Sequence, residues 1–162
     1  MIKNDQNNLS KCIAFLNDIG IKTSFRNLDD TSFLPGLLIE NGNIVIDTEM
    51  LRHPGDILHE AGHIAVVSSK DRTGLTADTL IKRKNREAEE VMAIAWSYAA
   101  CIHLDIDPGF VFHEDGYRGG STSIMESCDK NEYVGMLMLD SLGMTSATCE
   151  STPYPHMERW LR

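Results

Sequence analysis

The strongest pattern of hydrophobic and polar positions lies in residues 37–50, which read LLIENGNIVIDTEM. Two short runs rich in branched aliphatic residues flank Asn41 and Gly42, a pair that favours the tight turn of a β-hairpin. The pattern predicts a hairpin whose second strand, residues 44–46, leads toward the next apolar segment. The edge of that strand could bind an extended peptide, and a place inside a core sheet is an equally good interpretation.

Residues 56–67 follow with the sequence DILHEAGHIAVV, in which apolar residues surround a few polar ones. Asp56 is the predicted N-cap, because it stands just before the apolar run and its side chain can accept from a free backbone N–H. Ala61 and Gly62 are small, so another backbone can approach closely at this point. The segment is therefore predicted to be a helix of the core.

The rest of the chain is predicted from helical spacing, charge and turn residues. The predictions are a polar, frayed segment 1–8, a short helix 11–19 capped by Ser10, a strand or irregular segment 21–28, a loop 68–77, a long helix 78–104, a glycine-rich loop 109–124 and a third main helix 129–141.

Length and composition fit one domain over residues 1–162, with 42% hydrophobic and 24% charged residues. We expect an α+β fold in which a β-hairpin or small antiparallel sheet packs on a helical core, and this core contains the helix 56–67. The sequence carries no signal of oligomeric state.

Charge and cysteine content narrow the partners and the location. The net charge of −9 repels phosphates, so nucleic acid is not an expected partner. No membrane partner is expected either, because the N-terminus lacks the apolar core of a signal peptide and the apolar stretch 91–104 is short and interrupted. Four widely separated cysteines fit reduced thiols, and a cytoplasmic location is expected.

The chemistry-bearing motif is H-E-x-x-H, which occupies residues 59–63. His59 and His63 lie one helical turn apart on the same face, so both imidazoles can bind one metal ion. Glu60 projects to the side, where it can reach a water molecule without being a ligand. This combination predicts a zinc site with a carboxylate base beside it.

A catalytic zinc usually has three protein ligands, so a third is required. Glu87, Glu89 and Glu90 stand where the predicted long helix changes from charged to apolar. Glu90 is preferred, because its helix face continues in small residues that would pack closely against Gly62. Glu87, Glu89 and His113 remain alternatives, and an unused glutamate would sit in a solvated first turn.

The motif H-E-A-G-H, followed by a glutamate on an alanine-rich helix, resembles the gluzincin-type zinc metallopeptidases, and most of all the small cytosolic ImmA/IrrE-type peptidases. The interval between His63 and Glu90 suits that group, and the small Ala93 stands one turn after Glu90. Ile94 departs from the Asn or Asp that is usual there. The resemblance covers roughly residues 37–104 and implies a zincin-like domain that cleaves a peptide bond in a peptide or protein substrate.

In this scheme Glu60 is the general base for a water molecule activated by Zn²⁺. His113 and Tyr117, in the glycine-rich loop, are the predicted hydrogen-bond donors to the oxyanion; ordinary surface residues are the competing interpretation for each. Two other functions remain open. One is a zinc-binding regulatory or interaction protein without catalysis, and the other is a helical domain without metal.

Overall fold

The computed structural model describes residues 3–29 and 34–162, and it confirms the predicted α+β class. A three-stranded sheet packs beside a set of helices, and two short 3₁₀ helices lie between α5 and α6. In chain order the elements are α1 (Lys3–Ile19), β1 (Thr23–Phe25), β2 (Leu37–Glu40), β3 (Asn43–Ile46), α2 (Asp56–Val66), α3 (Ser69–Arg72), α4 (Ala77–Ile81), α5 (Arg86–Leu104), the 3₁₀ helices Pro108–Phe110 and Tyr117–Gly119, α6 (Ser121–Asp129) and α7 (Met136–Ser141).

The predicted hairpin is formed by β2 and β3, which pair antiparallel around Asn41 and Gly42. Both turn residues have positive φ, 51° and 70°, as a type I′ turn requires. β1 pairs with the other side of β3 in parallel, so the sheet is mixed rather than antiparallel. β3 is thus the central strand with partners on both sides, and the hypothesis that its edge binds a peptide is wrong.

The H-E-x-x-H helix α2 packs against α5 through small residues. A Cβ atom added to Gly62 would lie 2.9 Å from the carbonyl oxygen and 3.0 Å from the Cα of Ala93, so only glycine permits this approach. One turn further on, the buried Ser97 hydroxyl donates to the carbonyl of Leu58 at 3.3 Å and to its own helix at Ala93. The glycine contact and this hydrogen bond therefore hold the two helices close together at this point.

The N-terminus of α2 differs from the prediction. Asp56 is the first helical residue, and Gly55 takes the N-cap position without a side-chain hydrogen bond. Gly55 lies directly against the backbone of Phe110, where an added Cβ would clash with the carbonyl oxygen at 1.8 Å. This contact brings the segment after α5 next to the start of α2 and leaves the Asp56 side chain free for another partner.

Several predicted helix boundaries are wrong. Residues 3–8, predicted to be frayed, form the first turns of α1, and Ser10 lies inside that helix, where it donates to the carbonyl of Gln6; residues 1–2 lie outside the described part. The predicted loop 68–77 contains α3. The predicted long helix 78–104 is divided into α4 and α5 by a turn.

The segment after α5 is more helical than predicted in one place and less in another. The predicted loop 109–124 contains both 3₁₀ helices and the start of α6. The predicted helix 129–141 is not continuous. Its first residue is the last residue of α6, and a turn ending at Gly135 separates α6 from α7. Gly135 has φ +92° and its Cα packs on the carbonyl of Val91, where a Cβ would lie at 2.3 Å. Tertiary contact with α5, rather than local helix propensity, sets this break.

No helix among the described residues has the length and apolar character needed to cross a bilayer. All four cysteines are free thiols.

Candidate metal centre

Three metal-binding side chains meet where α2 and α5 cross: His59 and His63 from α2, and Glu90 from α5. The Nε2 atoms of the two histidines are 3.1 Å apart. His59 Nε2 lies 3.3 Å from Glu90 Oε1, and His63 Nε2 lies 3.3 Å from Glu90 Oε2. We refer to these three residues as the helix cluster.

The spacing of the helix cluster fits a metal ion. Ligands that surround zinc tetrahedrally at about 2.0–2.1 Å are about 3.3 Å from one another. The donor atoms here are 3.1–3.3 Å apart, and two imidazoles with one carboxylate are ligands that divalent metals accept. Both imidazoles are largely buried, whereas the Glu90 side chain is 40% exposed. The cluster can therefore hold a metal ion that solvent reaches from the Glu90 side.

The two competing glutamates have other environments. Glu87 is exposed to solvent in the first turn of α5. Glu89 is buried and makes a bidentate ion pair with Arg83, with Arg83 Nε 2.7 Å from Oε2 and Nη2 2.8 Å from Oε1. Arg83 also lies 3.7 Å from Asp71 of α3. The ion pair fastens the turn before α5 to its first helical turn, immediately beside Glu90.

His59 and Glu90 of the helix cluster stabilise each other's charged forms. Burial is the largest influence on His59 and opposes its protonation, but the hydrogen bond with Glu90 and the charges of Glu60 and Glu90 raise its pKa overall. The hydrogen bonds from His59 and His63 hold the pKa of Glu90 well below its usual range. Glu90 is therefore ionised at neutral pH, which is the form that binds a cation.

Glu60 stands beside the cluster rather than in it, because it is about 100° around α2 from His59. Burial raises the pKa of its carboxyl group, and the neighbouring His63 and His59 partly offset that rise. A carboxylate with a raised pKa is a stronger base, which is the property that general-base catalysis near neutral pH requires.

Tyr117 packs against the cluster, with its ring centroid 5.1 Å from that of His59 and the two planes at 84°. Its hydroxyl is buried and has no hydrogen-bond partner among the described residues. Burial raises the pKa of the phenol, so the hydroxyl keeps its proton. Tyr117 also has φ 53°, a conformation that non-glycine residues rarely adopt and that concentrates at functional sites.

His113 has a different partner. Its Nε2 lies 2.9 Å from Asp56 Oδ1, and its Nδ1 is buried without a partner in the described part of the chain. Its ring is stacked on that of His53, with centroids 3.8 Å apart and planes at 7°. With one nitrogen engaged and the other enclosed, His113 has no free N–H directed at the helix cluster. Of the two side chains, Tyr117 is the one whose donor lies next to the helix cluster without a partner among the described residues.

Sequence reasoning missed two residues at this site. Asp56 lies one helical turn before Glu60 on α2, and that spacing could have marked it as a neighbour of the motif. Arg83 sits in a basic run, residues 82–86, and only the fold shows that it pairs with buried Glu89. The Nδ1 atoms of His59 and His63 are buried and lack a partner among the described residues, so the usual outer hydrogen bond of a ligating histidine is missing here.

No known protein family, curated protein or solved structure was found to match this chain.

Proposed function

We propose that this chain is a zinc-dependent hydrolase that cleaves peptide bonds, with His59, His63 and Glu90 as the metal ligands. The observation that carries the proposal is the convergence of these three donors, at metal-ligand spacing, beside the partly buried Glu60. Two imidazoles with one carboxylate suit zinc better than magnesium or calcium, which prefer oxygen ligands. The likeness to gluzincin-type, ImmA/IrrE-like peptidases is part of this proposal.

Zinc bound at the helix cluster would supply a Lewis acid that polarises a carbonyl group and acidifies a water molecule. Glu60 takes the proton of the attacking water and returns it to the leaving amine. The Tyr117 hydroxyl donates a hydrogen bond to the oxygen that becomes negative, and it has no other partner to give up among the described residues. A peptide or protein is the substrate class, and a cytoplasmic location accords with four free thiols.

The competing function is a zinc-binding regulatory protein without catalysis. It requires the ligands but gives no role to Glu60. Glu60→Gln separates the two, because the amide keeps the size of the side chain and cannot act as a base. We expect the variant to bind zinc as the wild type does and to lose about 10²–10⁴-fold in hydrolysis.

The assay uses β-casein and a library of quenched fluorescent peptides as substrates. The protein is tag-free, and its zinc content is measured beforehand. Glu87→Gln is the matched control, because it makes the same change at an exposed position outside the cluster; its activity should equal that of the wild type. Equal activity of Glu60→Gln and wild type would exclude the catalytic scheme. If the folded wild-type protein takes up no more zinc than the His59→Ala/His63→Ala variant, the site itself is overturned.

A further inference from the structure

A second group of metal-binding side chains lies close to the N-terminus of α2. His53 precedes the helix, while His113 and Asp115 belong to the segment after α5. One donor atom from each lies within 4.8 Å of the others. His53 Nε2 is 3.5 Å from Asp115 Oδ2, and the two imidazole rings are stacked at 3.8 Å. We refer to these three residues as the rim cluster.

The rim cluster has one fixed member and two movable ones. His113 is held by its hydrogen bond to Asp56, and its side chain is only 17% exposed. His53 and Asp115 have side chains 35% and 82% exposed, so they can change rotamer at little cost in packing. Such a group can close around an ion that binds first to the fixed ligand.

The nitrogen of His113 that an ion can reach is Nε2, which is now hydrogen-bonded to Asp56, because Nδ1 is buried. An ion bound at Nε2 replaces the proton that His113 now shares with Asp56, and it then lies beside that carboxylate as well as Asp115. Two neutral imidazoles and two carboxylates would balance the charge of one divalent cation. Neither Asp56 nor Asp115 has a Lys or Arg ion-pair partner among the described residues.

We propose that His53, His113 and Asp115 form a second metal site, next to the helix cluster, for a divalent cation that accepts imidazole ligands, such as zinc. Magnesium and calcium are excluded as natural occupants by the two nitrogen donors. The proposal does not depend on catalysis, because the rim cluster shares no ligand with the helix cluster.

The stacked arrangement predicts weaker binding than at the helix cluster. Nitrogen lone pairs lie in the planes of their rings, and parallel stacked rings direct them side by side rather than toward one point. His53 must therefore rotate out of the stack before both nitrogens reach one ion, and this rotation lowers the affinity. We expect the rim cluster to bind zinc at least tenfold more weakly than the helix cluster.

The test is a zinc titration of tag-free, zinc-free protein by calorimetry, with a competing chelator to resolve the tighter step. The wild type should bind two equivalents. His53→Ala should lose the weaker step, and His59→Ala/His63→Ala should lose the tighter one. His156→Ala is the control, because it removes an exposed histidine that belongs to neither cluster, and it should still bind two.

The variants also separate this proposal from the proposed function. A wild type that binds one equivalent, lost in His59→Ala/His63→Ala and unchanged in His53→Ala, would overturn the rim site and leave the hydrolase standing. One equivalent that is lost only in His53→Ala would do the reverse. Two equivalents that persist in His53→Ala would also overturn the rim site. His53→Ala changes a half-buried side chain before α2, and circular dichroism checks that it folds.

Discussion

The helix cluster and the rim cluster contain the same kinds of donors, two histidines and one carboxylate, but they rest on different supports. Each donor of the helix cluster stands on a long helix, and the two helices touch where Gly62 meets Ala93. The donors of the rim cluster stand outside helices, His53 between β3 and α2, and His113 and Asp115 between the two 3₁₀ helices. The donor atoms of the helix cluster are 3.1–3.3 Å apart, whereas His53 Nε2 and Asp115 Oδ2 of the rim cluster are 3.5 Å apart.

This difference teaches that residue types alone do not define a metal site. A preorganised site places its donors at ligand spacing before the ion arrives, because packing fixes the backbone that carries them. A site on exposed segments must order its side chains when the ion binds, and this ordering reduces the affinity. The following changes test whether the helix support is the cause.

The largest effect is expected from Gly62→Ala. The added Cβ would lie 2.9–3.1 Å from the backbone and side chain of Ala93, so α5 must move away from α2 and carry Glu90 with it. We expect zinc affinity at the helix cluster to fall by more than about 100-fold, beyond the loss usual for residues around a metal. The rim cluster should keep its affinity, as measured in the same titration.

The control for Gly62→Ala is Gly74→Ala, where the nearest atom to the new Cβ would be the Asp71 carbonyl oxygen at 3.9 Å. In Gly62→Ala itself, alanine has a higher helix propensity than glycine by about 1 kcal/mol, so this propensity would stabilise α2 rather than weaken it. Unchanged zinc affinity in Gly62→Ala would show that helix separation does not set the geometry of the cluster.

A smaller effect is expected from Arg83→Met, which leaves the buried Glu89 carboxylate without its partner. Breaking a fully buried ion pair costs about 3–5 kcal/mol, and we expect about 2–3 kcal/mol here because Arg83 is 23% exposed. The first turn of α5 should loosen, and zinc affinity at the helix cluster should fall about 10–100-fold. Urea unfolding and zinc titration measure the two effects.

Arg86→Met is the matched control for Arg83→Met, because Arg86 is exposed at the start of α5. A double change that exchanges the charges, Arg83→Glu with Glu89→Arg, should recover part of the zinc affinity if the pair acts by positioning Glu90. A loss of stability with no change in zinc affinity would mean that the ion pair supports the fold and not the site.

Local sequence signals predicted the hairpin and the H-E-x-x-H helix well. Asn41-Gly42 specifies its turn through backbone conformation, and the spacing of His59 and His63 specifies a shared face. The segment after α5 was predicted poorly, because its breaks depend on distant contacts such as Gly135 on Val91. The rim cluster was missed for the same reason, since His53 and His113 are far apart in sequence.

The smallest expected effect is the contribution of Glu60 to the stability of the zinc-free protein, which depends on pH. Burial raises the pKa of Glu60 above its unfolded value, so this group favours folding below the unfolded pKa of about 4.3 and loses that contribution as pH rises through the folded pKa. Zinc-free Glu60→Gln should match the wild type near pH 4 and exceed its stability near pH 8, by on the order of 1 kcal/mol.

Asp115→Asn, at the exposed rim cluster, should show no such divergence, because an exposed ion pair contributes little. Thermal unfolding from pH 4 to pH 8 measures both. A constant difference between Glu60→Gln and wild type across that range would show that burial does not affect the ionisation of Glu60, and the contrast between a partly buried base at one cluster and an exposed carboxylate at the other would disappear.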